Sequence, residues 1–380
     1  MRASERTVAV YRSSLLARSE TFIRNEALQL QRYTPLFVGE TRAEGGLPLP
    51  EDAVVLGLPA RGRYVKAVLR RTPGYQLRRL ARACRTREVA LVHAHFGPDS
   101  LLALDLARRL GVPFVVNYNG FDATLYDDAL RAGPYEHYLR RRAEMFGEAA
   151  AIIAISPFIG SELARQGAPE EKLRIHHSGV ALGPPPPDGP REPVVLFVGR
   201  FVEKKGLGDL LEAMARVSAA VPAARLVVVG DGAGRREQEE HARRLGVDAT
   251  FAGWLPPDEV ALRQRETRVL CVPSRRAANG DAEGLPTVIP EAGAQGLPVV
   301  GTRHSGIPEG VGELARARLV EEGDVDGLAR ELTAVLTDDD LRQRLSAEAR
   351  EHVARHFDPR RQAEELEAIY DEALGLATSR

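Results

Sequence analysis

The sequence predicts an α/β protein made of two successive doubly wound domains, and three observations predict it. Short β-branched runs alternate with longer helical patterns, the signature of parallel α/β units. The alternation stops at four consecutive prolines and then restarts. The 380 residues also exceed what one ordinary core organises.

In the first half, strands are expected over residues 7–11, 35–38, 89–93, 114–117 and 151–155. A helix is expected over about 20–32 with Ser19 as its cap. Another should follow Asp99 and stop at Gly111, where glycine ends helices readily. The run from Gly183 to Pro190 cannot continue a helix or a central strand, so the domain boundary is placed there. Residues 1–183 then form the first domain, 184–192 a stiff linker and 193–357 the second domain. In that second domain, strands are expected over 194–198, 225–229, 249–252, 269–272 and 298–301. Helices should fill 208–220 and the stretch up to about 245. An amphipathic tail helix over 358–380 either packs on its own domain or crosses back to the first.

Composition narrows the function classes. Hydrophobic residues make up 44% and charged residues 28%, which fits a globular domain. A net charge of −1 gives no general reason to bind nucleic acid. The longest wholly apolar run, 149–155, is far short of the roughly 20 residues of a membrane span. Cys84 and Cys271 have no metal-ligand spacing; Cys271, inside the apolar run 269–272, reads as a buried, inert thiol, and this usage fits a reducing compartment. These features point to a cytoplasmic protein with at most peripheral contact at the inner membrane face. A source for such contact is 61–87, with ten Lys or Arg, no acid, and interleaved Tyr64, Val65, Val68, Leu69, Leu77 and Leu80. It could face anionic lipid, or be a pair of arginine-rich helices on an arginine-rich protein. The second reading is favoured.

In open α/β folds, ligands gather beyond the carboxyl ends of the strands. The first such loop of the second domain reads Gly199-Arg-Phe-Val-Glu-Lys-Lys-Gly206. Its glycines permit close backbone approach to an anion, a helix N-terminus follows, and Arg200 and Lys205 add positive charge. A plain solvated loop is the alternative. The loop after 269–272 carries Glu283 and, eight residues on, Glu291. With a helix starting near Pro286, that spacing approaches two turns and can place both carboxylates along one side of a site. The amides of Gly284 and Leu285 at that helix start would then meet phosphate. A capping acid plus a surface acid is the ordinary explanation of such a pair.

Taken in order, Gly-Arg-(x)4-Lys-Gly, then Gly230-Asp-Gly232, Glu-Gly-Leu-Pro-(x)4-Glu, and Gly-Leu-Pro-Val-Val at 296–300 resemble the retaining GT-B glycosyltransferases of family four. The resemblance covers essentially the whole chain and is most specific between 196 and 309. It implies a GT-B fold, two Rossmann-like domains facing across a cleft. It further implies transfer of a hexose-type sugar from a nucleotide-diphosphate donor, UDP-linked above all, to an acceptor hydroxyl with retention and without a metal. By that resemblance, Arg200 and Lys205 bind the diphosphate, Glu283 the donor sugar and Glu291 the ribose, with Gly199, Gly206, Gly230 and Gly232 shaping the site. The stretches 279–286 and 19–26 look like enzymes of exopolysaccharide and antibiotic pathways. The acceptor is then a polysaccharide-lipid intermediate or a small aglycone.

The first domain is expected to carry that acceptor. Ser19, Glu20, His93 and Asp122 are placed on its side, and His95 and Asn119 are candidate catalytic groups along with Glu283. A structural histidine is the alternative for His93 and for His95. Family members commonly carry His-Gly where this chain has Asn119-Gly120, and asparagine cannot titrate. A catalytically weak nucleotide-sugar-binding protein is therefore a second reading. A third, an NAD-dependent sugar-nucleotide epimerase, lacks its glycine loop, since residues 11–16 contain no glycine. Asp338-Asp-Asp340 reads as a helix cap rather than a metal site. No metal and no organic cofactor is expected.

Overall fold

Runs of Val, Leu, Ile and Ala without polar interruption suit strands covered on both faces, which is what parallel sheets require. The computed structural model describes residues 6–56, 73–186, 189 and 191–376. It divides into two units. The first is the chain to Gly179 together with the part from Pro359 on; the second is Val180–Asp358.

The first unit holds a seven-stranded sheet whose pairings are all parallel. Its strands are β1 (Arg6–Tyr11), β3 (Tyr33–Gly39), β5 (Val54–Val55), β6 (Val89–His95), β7 (Phe114–Tyr118), β8 (Ala151–Ala154) and β9 (Leu173–Ile175). A separate parallel pair joins β2 (Ser14–Leu15) to β4 (Thr41–Arg42). The sheet order is β5-β3-β1-β6-β7-β8-β9, so the chain reverses direction across the sheet between β1 and β6.

The second unit repeats the plan with five parallel strands, β10 (Val194–Val198), β11 (Arg225–Val229), β12 (Ala249–Gly253), β13 (Val269–Val272) and β14 (Val299–Gly301). Their order, β12-β11-β10-β13-β14, puts the reversal between β10 and β13. Val195, Leu196, Val269 and Leu270 are fully buried there, inside one core that the Leu207–Ala220 and Val325–Thr337 helices complete.

Several boundaries differ from the sequence expectation, each for a local reason. The 20–32 helix is Thr21–Gln29, flanked by Glu20, and no side chain caps it; Ser19 is exposed and does not. The helix stops early because the amides of Gln31 and Arg32 turn to Glu367 Oε1, each at 2.6 Å. The unit boundary falls at Gly179, ahead of the prolines. Pro184 lies in the second unit, where Arg350 donates to its carbonyl and to that of Gly183, at 3.2 and 3.1 Å.

The tail helix, Pro359–Ala373, belongs to the first unit. Leu366, Ile369 and Tyr370 enter that unit's core beside Val8, Val10 and Leu91. Around them Arg32 pairs with Glu367 at 2.9 Å and with Asp371, and the Tyr33 hydroxyl donates to Asp371 at 2.7 Å. Both cysteines are buried and free, and burial raises both thiol pKa values, that of Cys84 to about 11.

Candidate active site

A crevice opens where strand order reverses, so the loops after β10 and β13 are where a ligand of the second unit should lie. One glycine lets those loops meet, and another lets the loop after β11 close on the β10 loop. Gly230 has φ +129°, and a Cβ there would stand 1.9 Å from the Gly199 carbonyl oxygen. Gly206 has φ +64°, and a Cβ there would stand 1.9 Å from the Pro273 carbonyl oxygen. With no Cβ, the Gly199 amide reaches the Val229 carbonyl at 3.0 Å and the Phe201 amide that of Asp231 at 3.1 Å. Gly230 and Gly232 thus shape the 199–206 loop by packing under it. Gly206 also opens the Leu207–Ala220 helix, whose N-terminus directly follows Lys205.

At this junction lies a buried charge cluster. Glu283 is 6% exposed and pairs with Lys205 Nζ at 2.7 Å; the Ser274 hydroxyl is 3.4 Å from the same oxygen. Lys204, also buried, reaches Asp281 at 2.8 Å, the Ala282 carbonyl at 3.1 Å and Glu283 at 4.0 Å. Burial pushes the Glu283 pKa up, but Lys205 and Lys204 outweigh it and hold the carboxyl below its ordinary range. Glu283 is therefore an ionised, oriented acceptor.

Two other groups contrast with it. Arg200 is exposed, and its guanidinium has no side-chain partner among the described residues. Glu291 is partly buried, and no hydrogen bond or ion pair engages its carboxylate among the described residues. Burial alone raises its pKa to about 7.

As expected, Glu283 precedes the helix near Pro286 and Glu291 lies within it. That helix is Val288–Ala294, with Thr287 flanking it, so Glu283, Gly284 and Leu285 lie on the preceding loop. The sequence Leu285-Pro286 delays the helix, because a residue before proline disfavours the helical region. Gly284 is instead tied by its carbonyl to the Gly306 amide at 3.0 Å, and Leu285 is buried.

In the first unit, His93 and His95 lie within β6 rather than after it, and both are 1% exposed. Strand alternation puts them on one face, ring centroids 4.4 Å apart. His93 Nδ1 is 2.7 Å from the Tyr370 hydroxyl, and His95 Nδ1 is 3.5 Å from Asn117 Nδ2. Burial, reinforced by the neighbouring histidines, lowers the pKa of His93 to about 3 and that of His95 well below the usual histidine value. Both are neutral, and the contacts of His93 are those of a packed core residue.

Asn119 stands at the end of β7, and its amide nitrogen Nδ2 is buried without a partner among the described residues. Asp122 turns inward to accept the amides of Asn119 and Gly120 at 3.0 and 2.8 Å; burial nevertheless raises its pKa to about 6. Through these bonds it shapes the loop. Glu20 is buried, accepting from Arg12 at 2.9 Å and from the Ala17 amide at 2.9 Å. Arg12 also pairs with Asp99 at 2.6 Å and lies 4.4 Å from the centre of the Phe96 ring. This group sits at the β1/β6 reversal, the first unit's own switch point.

Sequence reasoning missed Arg12, Asp99, Lys204, Asp281, His304 and Glu322. Doubled Lys204-Lys205 was a visible signal; the others are joined only by contacts distant in sequence. Among the described residues, no three His, Cys, Asp or Glu are arranged to hold a metal ion. Asp338 accepts the Leu341 amide at 2.9 Å and caps the Asp339–His356 helix. Residues 61–72 of the basic stretch lie outside the described residues. Over its remainder, the Pro73–Arg85 helix buries Gln76, Leu80, Ala81 and Cys84 and turns its arginines outward. That apolar face is spent on the unit's own core. No described helix is long and apolar enough to cross a membrane.

Two parallel doubly wound units, with a cationic and carboxylate-bearing switch point in the second, define the GT-B architecture, and the family models agree. Residues 21–183 match the model for Glycosyltransferase Family 4, and residues 186–352 match that for Glycosyl transferases group 1. The chain belongs to these glycosyltransferases.

It is 32% identical over 249 residues to WcaL of Escherichia coli (strain K12), named as a colanic acid biosynthesis glycosyltransferase, covering 63% of this chain and 60% of WcaL. It is 30% identical over 275 residues to a GDP-mannose-dependent alpha-(1-6)-phosphatidylinositol monomannoside mannosyltransferase of Mycobacterium tuberculosis (strain ATCC 25618 / H37Rv), covering 70% of this chain and 65% of that one. The matches thus span less than two thirds of these relatives. The crystal structure of Anabaena HepE in complex with UDP and glucose has the same fold. Its TM-score is 0.74 at 16% identity, with 97% of this chain and all of HepE covered.

Proposed function

We propose that the chain transfers a hexose-type sugar from a nucleotide-diphosphate donor to an acceptor hydroxyl, with retention and without a metal ion. The observation that carries this reading is the second unit's switch point. There an ionised Glu283 is paired with Lys205, while Arg200 on the β10 loop and Glu291 on the Val288–Ala294 helix are left for a ligand.

In this reading Arg200, Lys205 and the N-terminus of the Leu207–Ala220 helix neutralise the departing diphosphate, the work a divalent cation would otherwise do. Glu291 accepts the two hydroxyls of the ribose, and Glu283 those of the donor sugar. The leaving phosphate takes the acceptor proton on the same face, so no titrating group is needed at Asn119. The unpartnered Asn119 amide is a hydrogen-bond donor for a ligand oxygen. UDP is proposed as the nucleotide, supported by the UDP bound in HepE; the GDP-mannose relative supports GDP as the second choice. The exopolysaccharide relative favours a polysaccharide-lipid acceptor over a small aglycone.

Release of UDP or GDP from a panel of nucleotide sugars, measured in EDTA, tests this. One donor should turn over and give the retained anomer with acceptor. An absolute metal requirement overturns the mechanism. Binding without turnover of any donor supports the weak-binding reading that Asn119 raises.

A further inference from the structure

Glu283 is held through its backbone as well as its side chain, and that hold comes from outside its own loop. Its amide donates to Nε2 of His304, on the loop after β14, at 3.2 Å. An N–H donor requires a lone pair on Nε2, so the proton of the neutral imidazole resides on Nδ1. There Glu322 Oε1 receives it at 2.6 Å. The other oxygen of Glu322 accepts the Arg276 amide at 2.9 Å. One carboxylate therefore ties the start of the β13 loop directly, and its far end through the imidazole.

Neighbouring bonds lock the same place. Ser305, at φ +52°, donates its hydroxyl to the Glu283 carbonyl, and the Gly306 amide donates to the Gly284 carbonyl at 3.0 Å. His304 itself is 2% exposed, and burial lowers its pKa against the opposing pull of Glu322, in keeping with the neutral tautomer.

We propose that His304 and Glu322 are a positioning pair for the donor sugar: they fix the backbone of Glu283 so that its carboxylate stays beside Lys205. The inference rests on Glu283 touching the sugar, as proposed above. It separates two parts of one ligand. The diphosphate and ribose are held by Arg200, Lys205 and Glu291, which neither His304 nor Glu322 touches among the described residues. Only the grip on the sugar should loosen when the pair is broken.

The test compares UDP and GDP with UDP-glucose and GDP-mannose by calorimetric titration of the full chain, with a thermal melt for each variant. His304→Ala should lose about tenfold or more in affinity for the intact donor, while affinity for the bare nucleotide stays within about twofold. His304→Gln, which keeps an acceptor and a donor on one side chain, should restore most of the donor affinity. If His304→Ala does not fold, Glu322→Ala, at a more exposed residue, reads the same split. Equal losses for donor and nucleotide, or no loss for either, overturn the proposal. A wild-type chain that binds no nucleotide sugar overturns the donor-site reading and this one with it. A wild type that binds, beside variants with unchanged donor affinity, overturns the pair alone.

Discussion

Arg200 and Lys205 share a loop, yet their removal should be felt differently. Arg200 is exposed and unpaired, so Arg200→Ala should leave stability within about 0.5 kcal/mol and reduce nucleotide-diphosphate affinity by about tenfold or more. Lys205→Met strips the nearest cation from a buried carboxylate, which should cost roughly 2–3 kcal/mol of stability as well as affinity. Thermal melts beside titrations with the nucleotide separate the two. Glu291 gives a prediction with a sign. Its folded pKa of about 7 lies above the usual glutamate value of 4.5, so stability falls as pH rises between those two values and stays low above 7. Glu291→Gln should therefore stabilise the protein at pH 8, by up to about 3 kcal/mol, and do little at pH 5. Nucleotide affinity should move the other way. The ribose diol donates to the carboxylate, so wild-type affinity should fall as pH drops through about 7, while Glu291→Gln should be weak and flat.

Among elements, the second unit's strands were the most legible: β10, β11 and β13 span the residues that their short apolar runs led one to expect. The short strands β2, β5 and β9 carry too few residues for a period-2 signal, and contacts made by distant segments create them. The helix near Pro286 starts at Val288 because proline holds the residue before it out of the helical region; the bonds of Glu283 and Gly284 to the β14 loop are tertiary and invisible to spacing. The same holds at β6, where the sequence located His93 and His95 at a strand end but could not reveal that Tyr370 closes over one of them. The glycine at 230 was legible as a motif, whereas its task of admitting the Gly199 carbonyl was not. Gly230→Ala should cost about 1–3 kcal/mol from its backbone conformation alone, plus the clash. Donor binding should weaken with it, as melts and titrations would show. An alanine variant as stable as wild type would contradict this packing.

At the scale of the whole molecule, the sequence supported two doubly wound units but misplaced the division between them. The proline run stood out by composition, while the actual boundary depends on which core each segment enters. Tail residues Leu366, Ile369 and Tyr370 complete the first unit's core, so ending the chain after Asp358 should unfold that unit while the second stays protease-resistant. Limited proteolysis reads this directly, and equal resistance of both units would contradict the assignment. The central claim is that the loops after β10 and β13 hold a nucleotide-diphosphate sugar. Its most direct test is calorimetric titration of UDP-glucose and GDP-mannose in EDTA, on the wild type, Arg200→Ala and Glu291→Gln. The account predicts that the wild type binds one of them without metal, and that each variant loses about tenfold or more. Binding of neither donor, or variants that bind as the wild type does, would contradict it.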